Sequence, residues 1–205
     1  MLNYCRNCNE YHADMILSQD GDSMSCPNCG ALYPLKRSPL FLVTGASGVG
    51  KSSACAELYK NETDYVVLES DILWFDFFNT PQDNYRLYRE VWLRLCKNIS
   101  QAGKPVVLCG CCSPDQMECC IERRYFTTLY YLACVCEEDV LEQRMREGRG
   151  IREESQIKSS LAYNRWFIEH GAEQLPPITL LDTTSLTPAQ AAVKIDHWVR
   201  LGLSS

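Results

Sequence analysis

The run Gly45-Ala46-Ser47-Gly48-Val49-Gly50-Lys51-Ser52-Ser53 fits the spacing G-x-x-x-x-G-K-[ST]. Its glycines let the backbone curl until successive N–H groups face an anion, and a helix opening at Lys51 adds its positive end. Lys51 is placed to reach the outer phosphates of ATP, and the Ser52 hydroxyl to ligate magnesium. A second run, Glu69-Ser70-Asp71, puts carboxylates where a neighbouring strand is expected to end. Asp71 there either takes a proton from an attacking hydroxyl or organises magnesium through water. A third group, Arg144, Arg146, Arg149 and Arg152, surrounds Gly148 and Gly150. Arginines on a mobile segment close over phosphates and neutralise charge as a phosphoryl group moves. Arg144 and Arg149 are the two expected to do so, and the others to pair with glutamates.

The N-terminal part carries different chemistry. Cys5 and Cys8 form one C-x-x-C pair, Cys26 and Cys29 a second, with 17 residues between them. Two such knuckles aim four thiolates at one tetrahedral zinc ion, which closes the shell and leaves no place for a catalytic water. The expected role is therefore structural. A segment of roughly 35 residues buries too little surface to fold without such a staple. His12 is read as a surface residue rather than a competing ligand. Cys109, Cys111, Cys112, Cys119 and Cys120 have poor spacing for one site and no histidine near, so they read as small apolar residues.

These groups need elements to hold them. Residues 1–37 read as a zinc ribbon with a hairpin turning at Asp20 and Gly21. A short polar linker, LKRSPL, follows. Strands are expected at LFLVTG, DYVVLES, KPVVLCG, TLYYLACVC and PITLLD. Helices are expected over 51–59, 81–101, 137–147, 153–170 and 188–201. The 81–101 helix shows Tyr88, Val91, Trp92, Leu95 and Ile99 on one face. Thr80, Ser113 and Thr187 each precede a proline and have Asp83, Gln116 or Gln190 three positions on, the pattern of a capping box. Strands alternating with helices imply a parallel sheet covered on both faces over residues 38–205. Trp74, Phe75, Phe77 and Phe78, just past Asp71, read mainly as core, with the floor of an acceptor pocket as the alternative.

Twenty-six acidic residues outnumber twenty basic ones, a net charge of −6 that weighs against nucleic acid and anionic membranes as partners. No apolar run reaches transmembrane length and the N-terminus lacks a signal peptide's apolar stretch, so a cytoplasmic location is expected. Thirteen cysteines then point to metal ligands and buried thiols before disulfides.

GASGVGKS, Asp71 in ESDILW, LEQRMREGR and LLDTTSLTPAQ, in that order, resemble the P-loop small-molecule kinases, the group that contains gluconate, shikimate, adenylate and chloramphenicol kinases. The resemblance runs from Leu40 to the C-terminus. It implies an α/β fold with a five-stranded sheet of order 2-3-1-4-5, an arginine-bearing lid, adenine between that lid and the loop 182–185, and Asp71 serving an acceptor hydroxyl. The third strand ends in CGCC without a carboxylate, so magnesium must rely on Ser52, water and Asp71. ATP-dependent transfer to a small molecule, nucleoside or nucleotide is the leading expectation. A kinase for nucleic-acid 5′ ends and a non-enzymatic nucleotide switch are the alternatives. The oligomeric state is not encoded in any motif.

Overall fold

A computed structural model describes residues 3–12, 14–61 and 64–204. Met1, Leu2 and Ala13, inside the expected ribbon, lie outside the described residues, as do Glu62, Thr63 and Ser205.

The N-terminal segment folds as two small antiparallel sheets. Strand β1 (Tyr4–Cys5) pairs with β2 (Glu10–Tyr11), and β3 (Ile16–Leu17), β4 (Ser23–Ser25) and β5 (Leu32–Pro34) form the second. The expected turn at Asp20 and Gly21 is present. Asp20 accepts from the Ser18 hydroxyl at 2.6 Å and from the Asp22 amide at 3.0 Å. The small core holds Cys5, Met15, Met24, Cys26 and Leu35, and its sixth member is Tyr125, from far along the chain.

The larger unit begins with β6 (Ser38–Thr44) and α1 (Lys51–Leu58). Then come β7 (Val66–Glu69), α2 (Arg86–Ser100), β8 (Val106–Cys109), α3 (Pro114–Glu118) and β9 (Phe126–Val135). Helices α4 (Glu138–Gln143) and α5 (Glu154–His170), strand β10 (Ile178–Asp182) and α6 (Pro188–Leu203) complete it. The five long strands are parallel in the order β10-β9-β6-β8-β7. Numbered along the sheet-forming chain, this is 2-3-1-4-5. Central β6 is buried on both faces. Phe41 and Val43 pack toward α1 and α6, while Leu40 and Leu42 pack toward α2 and α5. That is why its sequence is apolar throughout instead of alternating.

Local expectations fail in four places. The helix expected from Pro81 starts at Arg86, because Asn84 and Tyr85 adopt left-handed backbone angles (φ 54° and 56°). Pro81–Asp83 is a separate 3-10 turn without a side-chain cap from Thr80. On α2 the buried stripe is Trp92, Leu93, Cys96 and Lys97, and Leu95 faces outward. The helix expected over 137–147 ends as α4 at Gln143 and continues as a π-helical turn, Arg144–Gly148. The linker is shorter than expected, since Ser38 and Pro39 already belong to β6. The boxes at Ser113 and Thr187 do form; Thr187 donates its amide to Gln190 at 2.9 Å and accepts the Gln190 amide at 3.3 Å.

The two units share a buried junction. The Tyr125 hydroxyl donates to the Met15 carbonyl at 3.2 Å. Lys97 Nζ lies 3.9 Å from the Tyr125 ring centroid and 2.5 Å from Glu122 Oε2, with Lys97 and Glu122 both 1% exposed. Arg94 pairs with the other Glu122 oxygen at 2.8 Å.

Candidate active site

The phosphate-loop sequence leaves the C-terminal end of β6 and closes on α1. Gly45 has φ +133°, and a Cβ there would sit 2.3 Å from the Cys134 carbonyl oxygen of β9, so only glycine fits. Lys51 folds over the loop and donates to the Gly45 and Ala46 carbonyls, each at 2.7 Å. The loop is braced from outside by Thr183, whose hydroxyl donates to the Val49 carbonyl at 2.8 Å.

A cleft of about 630 Å³ opens over this loop. Gly45, Ser47 to Ser53, Glu69, Asp71, Arg144 and Arg149 all line it; Ala46 is buried beneath. The end of β7 supplies the carboxylates. Ser52 donates its hydroxyl hydrogen to Glu69, and Ser70 donates to Asp71 at 3.4 Å. Tyr88 of α2 donates to the Ser70 carbonyl and fixes this strand end from behind. The loop after β8 approaches closely: a Cβ at Gly110 would lie 2.1 Å from the Ser70 hydroxyl oxygen. Glycine there lets β7 and β8 deliver their ends side by side.

The arginines separate by location. Arg144 donates to the Thr183 hydroxyl (3.3 Å) and carbonyl (2.9 Å) and to the Thr184 carbonyl (3.1 Å). Arg149 donates to the Ser47 hydroxyl. Arg146 turns away into ion pairs with Glu142 and Glu154, both at 2.7 Å. Asp182 accepts from the Thr184 hydroxyl and amide, which hold its carboxyl below the usual carboxylate range.

The aromatic run past Asp71 departs from the core reading. Trp74, Phe75 and Phe77 are exposed; Trp74 and Phe75 form the extended link between the 3-10 turns Ser70–Leu73 and Asp76–Phe78, and Phe77 lies in the second turn. The cysteines of CGCC divide: Cys109 and Cys112 are buried, with burial pushing the Cys112 thiol up to about 12, whereas Cys111 is exposed and lines the cleft.

In the ribbon, the Sγ atoms of Cys5, Cys8, Cys26 and Cys29 all lie within 4.8 Å of one another. Cys5 to Cys29 is 3.5 Å and Cys8 to Cys26 is 3.7 Å. Zinc bonded to sulfur at about 2.3 Å in a tetrahedron requires sulfurs about 3.8 Å apart, so the donor set fits that ion. The Asn9 amide donates to the Cys5 carbonyl and the Gly30 amide to the Cys26 carbonyl, closing the two knuckles. Asn7 donates to Cys29 Sγ at 3.3 Å, and the Tyr33 hydroxyl sits 3.1 Å from Cys5 Sγ. His12 Nε2 is 3.9 Å from Cys8 Sγ, at the rim of this group.

Residues 40–163 match the family described as AAA domain. The chain belongs to that family. No curated protein sequence matches it. Its fold is that of the P-loop kinases. A sugar kinase from Janibacter sp. superposes with a TM-score of 0.60 at 17% identity, covering 82% of this chain and 98% of that one. A gluconokinase from Sinorhizobium meliloti gives 0.55 at 18% identity, with 82% and 98% covered. Shikimate kinase from Acinetobacter baumannii, in complex with shikimate, gives 0.53 at 16% identity, with 82% and 95% covered.

The sequence assigned no role to Glu69, placed Thr183 only in the loop 182–185 expected beside adenine, and read Cys111 as a small apolar residue, whereas it is exposed on the cleft. The signal for Glu69 was available. A sheet whose third strand ends without an acid needs one from a neighbour, and Glu69 closes the second strand. Thr183 and Cys111 carry no local signature, because their contacts depend on how distant strand ends align.

Proposed function

We propose that the chain is an ATP-dependent kinase that moves the γ-phosphate to a small-molecule acceptor. Residues 38–205 carry the chemistry, and residues 1–37 form a ribbon held by structural zinc on Cys5, Cys8, Cys26 and Cys29. The observation that carries this reading is convergence. The loop before α1, the end of β7 and the segment after α4 bring Lys51, Ser52, Glu69, Asp71, Arg144 and Arg149 to one cleft. The solved neighbours named as sugar, gluconate and shikimate kinases support a small acceptor. The net charge of −6 weighs against an oligonucleotide.

The roles follow from placement. The backbone amides of 45–53 hold the phosphates. Lys51 leaves its loop carbonyls to meet the negative charge that builds between the leaving and transferring phosphates. Ser52 and Glu69 hold magnesium, which when bound neutralises the phosphate oxygens. Asp71 takes the proton from the acceptor hydroxyl as its oxygen bonds to phosphorus and the bond from phosphorus to ADP breaks. Arg144 and Arg149 offset charge on the transferring group. Among the described residues no helix is long and apolar enough to cross a membrane, and thirteen cysteines suit the reducing cytoplasm, the location we assign.

Transfer from γ-labelled ATP across nucleosides, nucleotides, sugars, small antibiotics and a 5′-hydroxyl oligonucleotide tests the proposal. Acceptor-dependent labelling of a small molecule is expected. Hydrolysis that no acceptor accelerates would reject it, and preferential labelling of the oligonucleotide would move the assignment to a nucleic-acid kinase.

A further inference from the structure

A second cavity of about 510 Å³ adjoins the first, sharing Ser47 and Cys111 as lining residues. Its remaining wall comes from α5: Ser159, Ser160, Ala162, Tyr163 and Trp166. Among these described residues none is charged. The Tyr163 and Trp166 rings lie nearly parallel, 15° apart with centroids at 6.0 Å, and Phe167 backs Tyr163 at 4.5 Å. The wall therefore offers two aromatic side chains and two hydroxyls on one rigid helix. Asn164 locks that helix to the sheet, since its side chain donates to the Cys136 carbonyl at 2.8 Å and accepts the Cys136 amide at 3.2 Å.

The position of this cavity is informative. Ser47 lies inside the phosphate loop and takes a hydrogen bond from Arg149. Cys111 lies on the same cleft as Asp71. A ligand seated in the second cavity thus meets the first at Ser47 of the phosphate loop and at Cys111, and the first cleft holds Asp71. The chemistry of the wall sets what that ligand is. Arg149 reaches Ser47 at the shared edge, but no side chain of the α5 wall offers a carboxylate or phosphate seated against it a counter-charge. Burial pushes the Tyr163 phenol upward, so this hydroxyl stays protonated beside the cavity. A flat ring stacks on aromatic faces, and its hydroxyls find Ser159 and Ser160.

We propose that this second cavity is the acceptor's seat and that it takes an uncharged, hydroxyl-bearing ring compound of the nucleoside type. The inference rests on the kinase reading and narrows it: acidic acceptors such as gluconate and shikimate are excluded.

Cys111 supplies the test, because it is exposed while flanking Cys109 and Cys112 are buried. Iodoacetamide labelling of Cys111, followed by peptide mass spectrometry, is run with adenosine, cytidine, thymidine, D-gluconate or shikimate. At least one nucleoside should slow labelling about tenfold, and the two acids should not. Trp166→Leu and Ser159→Ala should each raise the nucleoside KM about tenfold while the ATP KM holds within about twofold, since stacking and hydroxyl contacts touch only the acceptor. Protection by gluconate or shikimate, or by no nucleoside, overturns the inference. Phosphate transfer is scored separately. Transfer to an acid without nucleoside protection keeps the kinase reading and rejects this seat. Nucleoside protection with no transfer to any acceptor rejects the kinase reading and retains the ligand class.

Discussion

Tyr125 reaches from the sheet-bearing unit into the ribbon's core and donates its hydroxyl hydrogen to the Met15 carbonyl at 3.2 Å. The ring is 1% exposed and completes a cluster otherwise made by Cys5, Met15, Met24, Cys26 and Leu35. Tyr125→Ala should cost about 3–5 kcal/mol, the range for deleting a buried aromatic. Tyr125→Phe keeps the packing and should cost about 1–2 kcal/mol, since the hydroxyl donates to the Met15 carbonyl and also accepts from Arg124 at 3.1 Å. Urea denaturation of both variants checks the difference. Equal costs would mean that the ring is not packed as described.

The zinc reading predicts one equivalent of metal per chain in protein purified without chelator. Cys26→Ser should release it. The damage should spread past residue 37, because the junction at Tyr125 and Lys97 loses its cover. Hydrogen exchange should rise in the ribbon and also around Lys97 and Glu122. Metal content below about half an equivalent in the wild type would reject the four-thiolate site.

Lys51→Ala should leave the fold intact, since among the described residues the side chain's hydrogen bonds run to the Gly45 and Ala46 carbonyls of its own loop. Transfer should fall by at least about 10²–10³, the loss expected when one preorganised charge-stabilising group is removed. Circular dichroism and steady-state rates measure the two halves of this prediction. A folded variant with wild-type turnover would detach the loop from the mechanism.

Glu69 and Asp71 lie two residues apart on one strand end, and their substitutions should separate. Glu69→Gln should weaken magnesium activation about 10- to 100-fold while saturating metal restores much of the rate. Asp71→Asn should lower the rate on a hydroxyl acceptor by about 10²–10⁴ at any magnesium concentration, with ATP binding little changed. Magnesium titrations of the two variants distinguish base from metal ligand. Rescue of Asp71→Asn by metal would transfer the metal role to Asp71.

The sheet was legible in the sequence because parallel strands buried on both faces leave continuous apolar runs, as at Leu40 to Val43. The phosphate loop and the cysteine knuckles were legible because each compresses its chemistry into a few adjacent positions. The break at Asn84 and Tyr85 was hidden because Thr80, Pro81 and Asp83 carry the pattern of a helix start, although the apolar face begins only at Tyr88. The burial of Lys97 was hidden as well, since it depends on Glu122, and a lysine on a helix ordinarily reads as a solvated face. The exposed aromatics at Trp74 to Phe77 were misread for a related reason. Hydrophobic residues are usually core, and the two short 3-10 turns after Glu69, with the extended link between them, leave these on the surface.

The Tyr125 contact also has a consequence in time. Tyr125 stands 110 positions after Met15. At about 5–20 residues per second, the ribosome delivers it on the order of ten seconds after the segment it must cover. During that interval the paired cysteine knuckles are already out of the tunnel while the aromatic plug of their core is not. Metal capture is thus available to the nascent chain early, and the completed junction is a late event of synthesis. A chain stalled or cleaved before Tyr125 would leave an open ribbon for quality-control proteases, so the plug marks that the polypeptide has been translated past the third strand of its sheet.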